Sequence, residues 1–250
     1  MKFLSIFAMA ALAVSLSAET IKYDLKQDFG KARQAVITKD VLTYTGAGTL
    51  VFKPVKYDPA AKYTLTFDAK QNGDTKAYPL YAGFYCYDKN GRLITHESVY
   101  HNAATLTELV KDAKVGDTSI TVKDGSKWKT DSQIAFNAKE DKSDLPNFDL
   151  AKYVSKIEKQ GEAWVISFSK PLKKAYAAGT KVRQHLNGGY LYTSSAKSAT
   201  ADWKTYTGTI NGKYIWVGSV TIRPILMLNW NWKDRTGSTQ IRNVSLTISK

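Results

Sequence analysis

A two-residue repeat runs through this chain and leaves little room for helix. Around YAGFYCYDKNGRLI, Leu80, Ala82, Phe84 and Cys86 take one side of the repeat, and Tyr81, Gly83, Tyr85 and Tyr87 take the other. Successive side chains of a strand point to opposite faces, so the pattern predicts a small apolar row turned inward and a tyrosine row turned outward. Tyr63, Leu65, Phe67 and Ala69 alternate in the same way with Thr64, Thr66, Asp68 and Lys70. In TIRPILMLNWNW, Ile222, Pro224, Leu226, Leu228, Trp230 and Trp232 share one face, and Arg223, Ile225, Met227, Asn229 and Asn231 share the other. Val244, Leu246 and Ile248 set out a last half-buried strand. Pro224 has no N–H for a ladder, which predicts a sheet edge or a bulge there. Helical texture is confined to LTELVKDAK, Leu106 to Lys114, read as one short helix. Many short strands separated by turns such as DKNG, Asp88 to Gly91, predict an all-β chain of jelly-roll β-sandwich type.

The middle of the chain has another texture. From about His101 to Asn187 it is richer in lysine and turns, and reads as the short strands of a small β unit. The expected organisation is a leader at 1–18, a jelly-roll sandwich from 19–100 and 188–250, and a small inserted β domain at 101–187. Trp128 and Trp164 are expected to pack the core of that unit, and Trp203 to be structural. The leader reading rests on Met1-Lys2, the apolar run Phe3 to Leu16 and the small residues Ser15, Ser17 and Ala18. That layout is a secretory signal peptide, too short for a stable transmembrane anchor. It predicts a secreted protein, extracellular, periplasmic or on a cell surface. No later segment is apolar for long enough to span a bilayer as a helix.

Charge and cysteine narrow the partners. The formal net charge is +14, or +13 once Lys2 leaves with the leader, and the lysines are scattered rather than blocked. A basic exported protein meets anionic glycans and envelope polymers before nucleic acid, which is not expected as a partner. The plainer reading of the lysines is a solvating surface that blunts strand edges. Cys86, the single cysteine, falls on the apolar row and is expected to be buried and inert.

The order of elements then resembles a family. A strand ending near Val51 and Phe52, YDPAAKYTLTFDAK, the tyrosine strand, ADWKTYTGTI, TIRPILMLNWN and IRNVSLTI follow one another. This is similar to the carbohydrate-binding-module type of jelly roll, the galactose-binding-like sandwiches of secreted bacterial glycan-degrading systems. It covers about Ile21 to Tyr100 and Tyr190 to Lys250 and skips the middle. The resemblance implies a non-catalytic polysaccharide- or envelope-glycan-binding protein, in which sugars stack on aromatic faces and polar side chains reach the hydroxyls. Its candidate binding residues here are Tyr81, Tyr85, Tyr87, Tyr190, Tyr192, Trp216, Arg223, Asn229 and Asn231. The competing reading of the tyrosines is a second, minor core.

No catalytic residue is assigned. HESVYH, His96 to His101, spaces its histidines five apart rather than the four a zinc helix needs. His101 and His185 flank the middle unit and are candidates to meet, without further ligands for a metal. DKNG lacks the later acidic positions of a calcium loop, so no cofactor is expected and a structural calcium is not identifiable. An enzyme alternative is a jelly-roll polysaccharide lyase drawing on Arg183, His185, Tyr190, Tyr192 and Arg223 to neutralise a uronate and move protons. A third reading is a surface protein-interaction or assembly subunit that uses the middle unit for contact.

Overall fold

The computed structural model describes residues 18–30, 33–231 and 233–250. The leader reading therefore lies outside them, except for Ala18, and so does Trp232. Strands β1 (Ala18–Lys22), β2 (Ala35–Thr38), β3 (Val41–Thr45), β4 (Gly48–Val51) and β5 (Val55–Lys56) lead into the longer β6 (Lys62–Gln71) and β7 (Leu80–Tyr87). Helix α1 (Leu25–Phe29) follows β1, and the short β8 (Leu93–Ile94) is followed by α2 (His96–Val99). Next come β9 (Thr107–Glu108), β10 (Ser119–Val122), β11 (Ser132–Phe136), β12 (Leu150–Lys152), β13 (Val154–Gln160), β14 (Ala163–Phe168) and β15 (Lys181–Leu186). The chain returns as β16 (Leu191–Ala196), β17 (Lys204–Asn211), β18 (Thr221–Leu228) and β19 (Ser238–Ser249).

Two antiparallel sheets make the sandwich. One runs β17-β6-β19-β3-β2 with β1 also on β19; the other runs β16-β7-β18-β4 with β5 on β18 and β8 on β7. Of the eight main strands, β3, β6, β17 and β19 lie in the first sheet and β4, β7, β16 and β18 in the second. The chain crosses between sheets at each step but one, from β7 to β16. That order is a jelly roll, two Greek keys wound together. The inward rows of the alternating strands meet between the sheets: Phe52, Tyr63, Phe67, Phe84, Leu226 and Leu246 are all fully buried. Burial of each such side chain is worth about 1.5–3 kcal/mol, so these rows hold the sheets together. Cys86 lies among them, and burial pushes its thiol up to about 11, which keeps it protonated and unreactive.

Between β7 and β16 the chain builds a second unit of two small sheets, β10-β14-β13 and β12-β11-β15-β9. It has its own apolar cluster, with Ile120, Val122, Ile134, Phe136 and Ile166 at the centre and Trp128 and Trp164 packed there too. The Leu106–Lys114 stretch is not helical. Thr107 and Glu108 pair with β15, Leu109 bridges Val122, and Ala113 bridges Tyr176. Burial of Leu109 and Ala113 in the unit's core outweighs the local helical preference.

Pro224 is not at an edge. It stands in β18, opposite Phe84 of β7, with β4 and β5 on its other side. What is broken is the neighbour: β4 pairs with Ile225–Leu228 and β5 with Thr221–Ile222, so the missing N–H faces the gap between them. Phe52 N–H still donates to Pro224 O at 3.0 Å.

Candidate functional site

The outward row of β7 meets the outward row of β16 on the sandwich's outer face. Tyr192 stands opposite Gly83, and the Tyr81 and Tyr192 rings lie 5.0 Å apart. Tyr85 and Tyr190 are 4.7 Å apart, and Tyr190 meets Tyr192 edge-on at 6.4 Å. Gly83 explains the break in the tyrosine row. A Cβ there would sit 2.0 Å from Leu191 O, so only glycine lets β16 approach closely enough to carry its tyrosines alongside. Under the rings lie Ile225 and Met227, on the outward parity of β18 yet fully buried, and Tyr192 O–H donates to Met227 Sδ at 3.1 Å. The tyrosines thus cover a small apolar floor and remain partly open themselves, with Tyr192 the most exposed of the four.

Two of these phenols, Tyr85 and Tyr192, are held protonated by their surroundings. Burial, with Tyr190 beside it, pushes Tyr85 up to about 12, and burial raises Tyr192 as well. Desolvation disfavours the phenolate, so the hydroxyls serve as donors and acceptors, not as bases. Tyr87 is half-buried at the end of the row, on a depression of about 310 Å³ shared with Pro54, Asp88, Lys89, Thr221 and Arg223. At that end the DKNG turn is closed by Asp88, whose Oδ1 accepts from the N–H groups of Asn90 and Arg92.

The polar partners expected around this row are mostly committed elsewhere. Arg223 lies beside Tyr85 in register, but its Nε donates to Phe52 O at 2.7 Å. It plugs the gap that Pro224 leaves in the ladder. Asn229 is not on the open face. It is 1% exposed with φ of 52°, donates through Nδ2 to Tyr44 O and Gly46 O, and accepts from Thr239 Oγ1. Its positive φ ends the strand, and the two-residue parity does not continue past Leu228. Asn231 consequently sits in the following loop, where its Oδ1 accepts from the N–H groups of Lys233 and Asp234. Trp216 is buried against the sandwich core rather than standing in a loop as an open platform. The same break at Asn229 swings Trp230 out to the rim, 45% exposed. The two-residue alternation, by contrast, puts Trp230 on the face of Leu226 and Leu228.

The residues read as a lyase cast do not assemble. Arg183 and His185 lie in the second unit, both buried. Arg183 Nη2 pairs with Asp144 at 2.7 Å and donates, with Nε, to His185 Nε2. That leaves His185 Nδ1–H to donate to Glu97 O at 2.6 Å. Burial drives His185 down to about 4, so it is neutral and its two nitrogens are taken. His101 and His185 do meet, bridged backbone to backbone with rings 5.7 Å apart. Among the described residues no group of three or more His, Cys, Asp or Glu is placed to hold a metal, and no helix is long and apolar enough to cross a membrane.

No protein-family model and no curated protein matches this chain. Among solved structures it is similar to a family 7 alginate lyase in complex with substrate, at 10% identity and a TM-score of 0.29, over 87% of this chain and 82% of that one. It is also similar to a structure of infectious bursal disease virus, Gx strain, at 7% identity and a TM-score of 0.20, over all of this chain and 46% of that one. The jelly-roll assignment rests on strand order and pairing within the chain itself.

Proposed function

We propose that this protein is a secreted, non-catalytic carbohydrate-binding jelly roll that takes a polysaccharide onto the outer face of the β16-β7-β18-β4 sheet. The observation that carries the reading is the cluster formed by Tyr81, Tyr85, Tyr190 and Tyr192 across two neighbouring strands. A pyranose ring presents C–H patches that suit a phenol face, and the phenol O–H tips reach hydroxyls at its edge. The apolar floor of Ile225 and Met227 holds the rings in place, which lowers the entropy lost on binding. Both ring nitrogens of His185 are committed, to Arg183 and to Glu97 O, away from the tyrosine cluster, which supports binding without bond cleavage. The basic surface favours acidic chains among the polysaccharides offered.

Affinity electrophoresis through gels holding neutral or acidic polysaccharides tests this, with Tyr192→Ala run beside the unaltered protein. Retardation lost in the variant, with unchanged circular dichroism, is the expected result. Retardation that the variant keeps and salt removes would reduce the interaction to diffuse lysine charge. An unsaturated, ultraviolet-absorbing product released from an acidic polysaccharide would replace the binding reading with the lyase one.

A further inference from the structure

A cavity of about 500 Å³ opens in the second unit, between β12 and the 170–176 loop, away from the tyrosine face. Its volume is that of a small-molecule site, about 300–1,000 Å³. Lys152, Lys170, Lys173 and Lys174 line it with Tyr153 and Tyr176, against a single carboxylate, Asp149. Asp149 is already spoken for: Tyr176 O–H and Lys174 Nζ donate to its Oδ1 at 2.7 and 3.1 Å, and Asn137 Nδ2 to its Oδ2 at 3.1 Å. Lys152 lies 3.5 Å from Glu97. Lys170 and Lys173 have no carboxylate within ion-pair distance among the described residues, so positive charge on this cavity is left uncompensated.

Two further features point the same way. β12 is an edge strand of its sheet, so one side of its backbone faces the cavity without a strand partner. Tyr153, directly after β12, is held at φ of 64° with its ring 45% exposed and Lys170 Nζ 5.9 Å above it. A bulky residue in the left-handed region costs about 1 kcal/mol or more and persists only where its surroundings fix it. Here they do: Tyr153 N–H donates to Gln133 Oε1, and Ser169 N–H donates to Tyr153 O. The strain holds an aromatic ring at the mouth of a lysine-lined pocket.

We infer that this cavity is a second binding site, specific for a sugar residue that carries an oxyanion, a carboxylate or sulfate, with the lysines taking the anion and Tyr153 stacking on the ring. It is separate from the tyrosine face and does not need it.

Calorimetric titration with trigalacturonate tests the site, with maltotriose as the neutral probe and inorganic sulfate as the bare anion. The Lys170→Gln/Lys173→Gln variant is expected to bind trigalacturonate about tenfold or more weakly, since charge-assisted contacts are lost. The control Lys127→Gln/Lys159→Gln removes the same charge from exposed positions elsewhere on the unit and is expected to cost about threefold or less. Tyr153→Gly relieves the backbone strain while removing the ring, so weaker binding with an unchanged or higher Tm is expected. Equal losses from the two lysine pairs, displacement of trigalacturonate by equimolar sulfate, or no binding heat at all would each overturn the proposal. Binding abolished by Tyr192→Ala and kept by the pocket variants would also overturn it, while leaving the tyrosine-face reading standing.

Discussion

The sandwich buries rings and aliphatic chains, whereas the second unit buries a guanidinium. Phe52, Tyr63, Phe67 and Phe84 fill the first core, but the largest fully buried side chain in the described chain is Arg183. Strand length accounts for the difference. The longest strands differ: β6 and β19 run for 10 and 12 residues and present long inward rows, while the longest of the second unit, β13, has 7. Short strands bury too little apolar surface to define one packing, and small folds need a staple. Here the staple is polar: Arg183 bonds Asp144, His185 and Lys139 O, and Asn147 bonds Asp144 and Phe136 O. Desolvation of buried charge offsets much of the attraction in such a network, so it is expected to contribute specificity more than net stability.

That contrast can be broken by experiment. Phe84→Ala removes a ring between the sheets and is expected to cost about 4 kcal/mol, read as a lowered denaturation midpoint. Its loss should expose amides of both units, because the second unit hangs from β7 at one end and β16 at the other. Arg183→Ala leaves Asp144 buried without its partner and is expected to cost about 3 kcal/mol. Hydrogen exchange should then quicken in β11, β12 and β15 while β6 and β19 stay protected. A paired apolar replacement, Arg183→Met with Asp144→Leu, should recover most of the loss. Failure to recover would mean that the network stabilises the unit outright.

The inward rows are legible because a period of two needs only neighbours in sequence. Leu80, Ala82, Phe84 and Cys86 are all buried, as their alternation with the tyrosines requires. What lies across strands is not legible in the same way. Pro224 signals an edge or a bulge, and the irregularity lies in its partner, between β4 and β5, in residues far away in sequence. Arg223 reads as a free guanidinium for the same reason. The parity of β18 places Asn229 and Asn231 on the open face only if it runs on past Leu228, where the strand ends, and through a positive φ that asparagine adopts readily. Trp216 follows turn residues but packs inward. Leu106–Lys114 has the composition of a helix, and its strand pairing with β15 depends on residues more than seventy positions later. For the tyrosines the candidates can be read and their neighbours cannot: nothing local tells that Tyr81 meets Tyr192 and Tyr85 meets Tyr190.

Acid should separate the two units most gently. His185 is neutral and buried in the folded chain at about 4, against an ordinary value near 6.5. A depressed histidine means that the unfolded chain takes up a proton first, so stability from this group is whole above pH 6.5 and falls as pH drops toward 4. The full loss is about 3 kcal/mol or less, at 1.36 kcal/mol per pKa unit. His101, facing the same Arg183, is also lowered by burial and acts in the same direction. Burial pushes the Asp144 carboxyl up, but Asn147, the Lys139 N–H and Arg183 together hold it below the usual carboxylate range, so its contribution is kept through this window and lost only in stronger acid. Between pH 6.5 and 4, protection of β15 and its neighbours should therefore fall while the sandwich holds, and His185→Gln should flatten that slope. A slope of equal size in β6 and β19 would show that the histidine pair couples the two units instead of tuning one of them.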